Sequence, residues 1–160
     1  MRTPLMLVTA VALSTLAAHA QQPAPRATPP AAVAAAVDRT VATYAAAWGE
    51  PSLAARRELL HRVWASQATY TDPTVRLAGL EALARHISEF QAKLPGATIV
   101  PTTKVDAHHG SIRFGWRILS ASGTALSEGM DYGEVDAAGR ITRIIGFFGA
   151  LEPAAPRAPR

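Results

Sequence analysis

Apolar positions in the first half of the chain recur at helical spacing. Val33, Val37, Val41, Tyr44 and Trp48 are separated by four, four, three and four residues, which sets them on one stripe of a helix that Gly49 ends. Pro51-Ser52 opens a second helix running towards Trp64. Its expected inward residues are Leu53, Leu60, Val63 and Trp64, with Arg56, Arg57, Glu58 and Arg62 mostly outward. A short β-rich stretch, 68–71, ends at Asp72-Pro73, where the proline confines Asp72 to extended backbone. Gly79 introduces a third helix in which Leu80, Leu83, Ile87, Phe90 and Leu94 step by three and four until Pro95-Gly96 stops it. His61 and His86, set among charged neighbours on helices, are expected to be exposed.

From Thr98 the period changes to two, and strands are predicted over 98–107, 111–120, 125–135 and 141–148. The links His109-Gly110, Ser122-Gly123 and Asp136-Ala137-Ala138-Gly139 are short and carry glycine, which forces an antiparallel meander. Within the second of these strands Ile112, Phe114, Trp116 and Ile118 share one face, while Arg113, Gly115 and Arg117 share the other. The predicted class is α+β: three N-terminal helices packed on a curved antiparallel sheet, a cone with room for one internal pocket. The periodicity supports the layers and leaves the pocket open.

The ends change the picture of organisation. Arg2, the apolar run over 5–16 and Ala18-His19-Ala20 together read as a secretory signal over residues 1–20, too short to span a bilayer. Residues 21–31 read as a disordered Pro/Ala-rich linker and 152–160 as a disordered tail, leaving 32–151 as one domain. The expected location is the periplasm or the exterior, with no membrane association once the signal is removed. Cysteine is absent, which excludes disulfides, a thiol nucleophile and cysteine metal sites. The net charge of +4 is spread among apolar residues without a basic patch, so nucleic acid is not an expected partner. No phosphate loop, serine–histidine–aspartate set or metal-spaced histidine cluster occurs, and neither a metal nor a cofactor is expected.

The element order and several motifs resemble the SnoaL-like branch of the nuclear transport factor 2-like superfamily. The resemblance is carried by Tyr44-Ala45-Ala46-Ala47-Trp48, Tyr70-Thr71-Asp72-Pro73 and Leu77-Ala78-Gly79-Leu80-Glu81-Ala82-Leu83. It continues through His108-His109-Gly110-Ser111-Ile112-Arg113-Phe114-Gly115-Trp116, Gly129-Met130-Asp131 and Gly139-Arg140-Ile141. The resemblance implies a cone-shaped (cystatin-like) fold, a small-molecule ligand held between helices and sheet, and a homodimer. By similarity to the ketosteroid isomerase branch, Tyr44 corresponds to a helix tyrosine, Asp72 to the base before a proline, and Asp131 to the strand aspartate. That isomerase is a standard case of a carboxylic acid kept neutral to donate a hydrogen bond.

On this basis the candidate catalytic residues are Asp72 as base, with Tyr44 and a protonated Asp131 as donors to a developing enolate oxygen. Trp48, Phe114, Trp116, Ile118 and His109 are candidate ligand-binding residues. Each has a plainer explanation. Tyr44 fits the helix core, Asp72 fits a turn cap, and Asp131 lies on a face with Ala125, Ser127 and Gly129. Arg113 and Arg117 are expected to face outward; either one turned inward would hold Asp131 ionised. The expectation for function is an isomerase- or cyclase-like proton transfer on a carbonyl compound. The alternatives are a non-catalytic ligand-binding module or a dimeric interaction module with a filled cone.

Overall fold

In a computed structural model of the chain, residues 31–153 are described. The predicted signal, most of the linker and the end of the tail lie outside them, as does the side chain of Val33. Helix α1 (Ala31–Gly49) turns Val37, Val41, Tyr44, Ala47 and Trp48 into the core, as the spacing predicts. Helix α2 (Leu53–Val63) is capped by Ser52, whose hydroxyl accepts a hydrogen bond from the Ala55 N–H at 3.4 Å.

Two α2 residues depart from expectation. Leu53, at the first turn, is 37% exposed, whereas Arg56 is 1% exposed. The Arg56 guanidinium donates to the Ala84 carbonyl at 3.1 Å, the Ser88 hydroxyl at 2.5 Å and the Glu50 carbonyl at 2.6 Å. These bonds hold α2 against α3 (Leu80–Lys93) and offset part of the cost of burying a charge.

The strands are β1 (Trp64–Thr71), β2 (Arg76–Ala78), β3 (Thr98–Pro101), β4 (Asp106–His108), β5 (Ser111–Leu119), β6 (Ala125–Val135) and β7 (Ile141–Phe148). β1 therefore starts at Trp64, earlier than predicted, and β2 is an addition. The single strand expected over 98–107 is two strands, β3 and β4, both antiparallel to β5. Between them the chain leaves the ladder: the Thr102 N–H donates to the Gly115 carbonyl, and the Thr103 hydroxyl accepts the Gly115 N–H. Pro101, which has no N–H to donate, stands at the break.

The seven-stranded sheet runs β2-β1-β7-β6-β5-β3, with β4 beside β5, and is not closed. The meander β5-β6-β7 is antiparallel as its hairpins require. β1 lies parallel to β7, so the sheet is mixed. Such a pairing needs a long crossover, which the intervening helix and meander supply. The inner face of β5 (Ile112, Phe114, Trp116) packs with the α1 stripe, Leu60, Leu83, Ile87 and Ile144 into one core. Each of these large side chains contributes about 1.5–3 kcal/mol by leaving water.

Candidate functional site

Helices and sheet do not close completely. Between them lies a cavity of about 350 Å³, reached by α1, α3, the end of β1 and the inner faces of β5, β6 and β7. The cone is thus not filled by side chains. Exposed lining residues, Glu89, Lys93, Leu94, Ser127 and Phe148 among them, mark the mouth, while Tyr44, Trp48, Tyr70, Phe114, Trp116 and Asp131 form the buried end.

Tyr44 reaches the cavity from the stripe that builds the core. Its ring stacks on Trp64 at 5.8 Å and 12° and meets Trp48 edge-on at 6.3 Å. Burial, reinforced by the charge of Asp131, holds its hydroxyl well above the ordinary tyrosine pKa, so it remains a proton donor.

Asp72 follows β1 immediately before Pro73. Its Oδ1 accepts hydrogen bonds from the Thr74 N–H at 2.7 Å, the Thr74 hydroxyl at 2.7 Å and the Val75 N–H at 3.0 Å. Its Oδ2 accepts the Tyr70 hydroxyl at 2.9 Å. One side chain therefore both caps the turn and lines the cavity. Burial pushes the carboxyl pKa up, but the bonds from Thr74, Tyr70 and Val75 outweigh it and hold the pKa below the usual range.

Asp131 sits on the inner face of β6, opposite Phe114 and diagonal to Trp116. The Trp116 indole N–H donates to its Oδ1 at 2.7 Å. Gly129, directly across from Trp116, makes this possible: a Cβ there would lie 2.4 Å from the indole Cζ2 and 2.2 Å from the Phe147 carbonyl. The outer edge of the indole consequently sits over Gly129, with Phe148 against the ring at 5.7 Å and 85°. Burial and the nearby Asp72 charge push Asp131 up to about 7, with the Trp116 bond opposing them.

Gly146 separates the two acids. A Cβ built on it would stand 3.2 Å from Asp131 Oδ1 and 3.6 Å from Asp72 Cβ, which places these atoms within about 7 Å of each other. Arg113 and Arg117 do not intervene. They face outward and pair with Asp106 at 2.8 Å and Glu128 at 3.0 Å.

Of the sequence-derived candidates, Tyr44, Asp72, Asp131, Trp48, Phe114, Trp116 and Ile118 all line the cavity. His109 does not. It is exposed in the β4–β5 turn at φ 49°, because the tight hairpin needs left-handed backbone there.

Among the cavity residues that the sequence did not single out, Tyr70 and His86 stand beside Asp72. Tyr70 is hydrogen-bonded to Asp72. His86, expected at the surface, lines the cavity with its Nε2 4.0 Å from Asp72 Oδ2. The signal for His86 was its spacing: His86, Phe90 and Lys93 form a second inward row on α3 beside Leu83 and Ile87. Among the described residues no group of three or more histidine, aspartate or glutamate side chains is placed to hold a metal ion.

No protein-family model matches the chain, and no curated protein matches it. Solved structures do. A SnoaL-like family protein of Agrobacterium tumefaciens C58, to which isomerase activity is ascribed, is 31% identical, with a TM-score of 0.68. That likeness covers 72% of this chain and 99% of the Agrobacterium protein. A Jannaschia protein assigned as a SnoaL-like polyketide cyclase is 11% identical over 76% of this chain and 91% of its own, with a TM-score of 0.60. A Methylobium petroleophilum PM1 protein with a cystatin-like fold is 20% identical over 79% and 82%, with a TM-score of 0.59. The last two likenesses show the fold alone.

Proposed function

The chain belongs to the SnoaL-like family, and on that premise we propose that it binds a small, mostly apolar carbonyl compound and moves a proton on it without a cofactor. The observation that carries this reading is the opposite treatment of two acids in one cavity. Asp72 accepts four hydrogen bonds that hold its pKa below the usual range, while buried Asp131 accepts one from an indole and is pushed up to about 7. A pair of titratable groups driven apart in this way divides a site into a base side and an acid side. On the acid side, the Tyr44 hydroxyl and protonated Asp131 donate to the carbonyl oxygen as it becomes an enolate. On the base side, the Asp72 cluster receives the proton. Aromatic walls exclude water and accept the apolar body of the ligand. The reading extends to an exported protein, from the leader-like residues 1–20, and to a homodimer, from the family resemblance.

A non-catalytic binding module is the second reading, favoured by the four donors that already occupy Asp72. Hydrogen–deuterium exchange of 2-tetralone in D2O, followed by proton NMR, separates the two. Proton transfer predicts exchange above the buffer rate and a loss of about 100-fold in Tyr44→Phe and in Asp131→Asn. Binding of 2-tetralone without exchange would establish the binding module instead.

A further inference from the structure

We propose that His86 is the group that accepts the proton, and that Asp72 is a positioning residue acting through it. This assignment rests on the proton-transfer reading and specifies the base within it.

Asp72 has little hydrogen-bonding capacity left to offer a substrate. A carboxylate presents about four lone-pair sites. Three donors from Thr74 and Val75 crowd Oδ1, and the Tyr70 hydroxyl takes one site on Oδ2. Protonating this group would break bonds that it now makes as an anion. Its remaining capacity lies on Oδ2, and His86 Nε2 stands 4.0 Å from that atom.

The imidazole is built in rather than loosely placed. It meets the Trp48 ring edge-on at 5.8 Å and 89°, and lies tilted against Tyr70 at 5.8 Å and 39°. Tyr70 therefore both fixes Asp72 through its hydroxyl and packs against the histidine with its ring. The His86 side chain is 18% exposed, lines the cavity, and makes no hydrogen bond through either nitrogen among the described residues. A cavity-lining histidine with no hydrogen bond of its own, 4.0 Å from a fixed carboxylate, is placed to act as the acid–base group.

The step balances within the cavity. The neutral His86 lone pair forms an N–H bond with a hydrogen on the carbon next to the carbonyl. The C–H bonding pair becomes the C=C bond of the enolate, and the carbonyl π pair moves onto oxygen. Tyr44 and Asp131 donate to that oxygen, and the new imidazolium faces the Asp72 carboxylate. Return of the proton to a carbon of the enolate restores neutral His86. No oxidant, reductant or metal enters.

The test uses the full chain and 2-tetralone exchange, with near-UV circular dichroism to confirm the fold of each variant. His86→Gln is expected to lower kcat about 100-fold or more with KM changed less than about threefold. Added imidazole is expected to restore part of the rate in His86→Ala. Asp72→Asn is expected to lose about 10-fold while keeping His86-dependent exchange. A His86→Gln variant within about threefold of the wild-type rate, with Asp72→Asn inactive, would make Asp72 itself the base and overturn this assignment alone. An inert wild-type protein would overturn the assignment together with the proton-transfer reading. Diethylpyrocarbonate labelling supplies a readout independent of turnover. 2-Tetralone is expected to protect His86 from carbethoxylation, and ligand binding without protection would also overturn the proposal.

Discussion

Asp72 and Asp131 are the same side chain in the same cavity, less than about 7 Å apart across Gly146, yet the chain treats them oppositely. Asp72 lies just past a strand end, where backbone and side-chain donors of the following turn converge on it. Asp131 lies mid-strand, where backbone donors are spent on the ladder and one indole N–H is its hydrogen-bonding partner. Position within a strand thus decides ionisation: a turn supplies free N–H groups to an acid, and the middle of a sheet does not.

The largest expected effect breaks the comparison on the Asp131 side. A carboxyl whose folded pKa is raised contributes stability that is complete below the unfolded pKa and is lost as pH rises through the folded value, here about 7. Asp131→Asn should therefore match wild type near pH 4 and exceed it by about 4 kcal/mol near pH 8 in urea denaturation. An equal offset at both pH values would show that Asp131 is already ionised at neutral pH.

Gly129→Ala attacks the seat of the Trp116 indole rather than the charge. It should cost about 2 kcal/mol at every pH, because the added carbon meets the indole and the Phe147 carbonyl at once. A neutral result would mean that the indole can move aside without losing Asp131.

Thr74→Val is the smallest perturbation and touches only the Asp72 side, removing the 2.7 Å hydroxyl bond while keeping the backbone donor. Asp72 has a depressed folded pKa, so its contribution is present above the unfolded value and lost as pH falls through the folded one. The variant should be about 1 kcal/mol less stable at pH 7, with the deficit vanishing under strong acid. A deficit that persisted in acid would assign the loss to packing instead of to Asp72.

The parts of this arrangement that are local were legible in the sequence. The α1 stripe carrying Tyr44 follows helical spacing, and the inner face of β5 follows strand parity, which also carries Asp131 inward opposite Phe114. What escaped is non-local or polar. The parallel pairing of β1 with β7 joins strands that share no turn, and no periodicity records it. Arg56 and His86 sit in charged stretches of their helices, which read as solvent faces. A helix that lines a cavity presents polar residues inward just as it presents them outward to water, and spacing alone treats both rows alike.

The β1–β7 pairing also sets when the cavity comes into being. Asp72 follows a strand whose neighbour is the last strand of the fold, and Gly146 on that last strand holds the gap between the acids. A growing chain that has reached only β6 owns both carboxylates but has no wall to hold them in register. The cavity is therefore a property of the finished sheet, and a half-made one has no enclosed space between its acids.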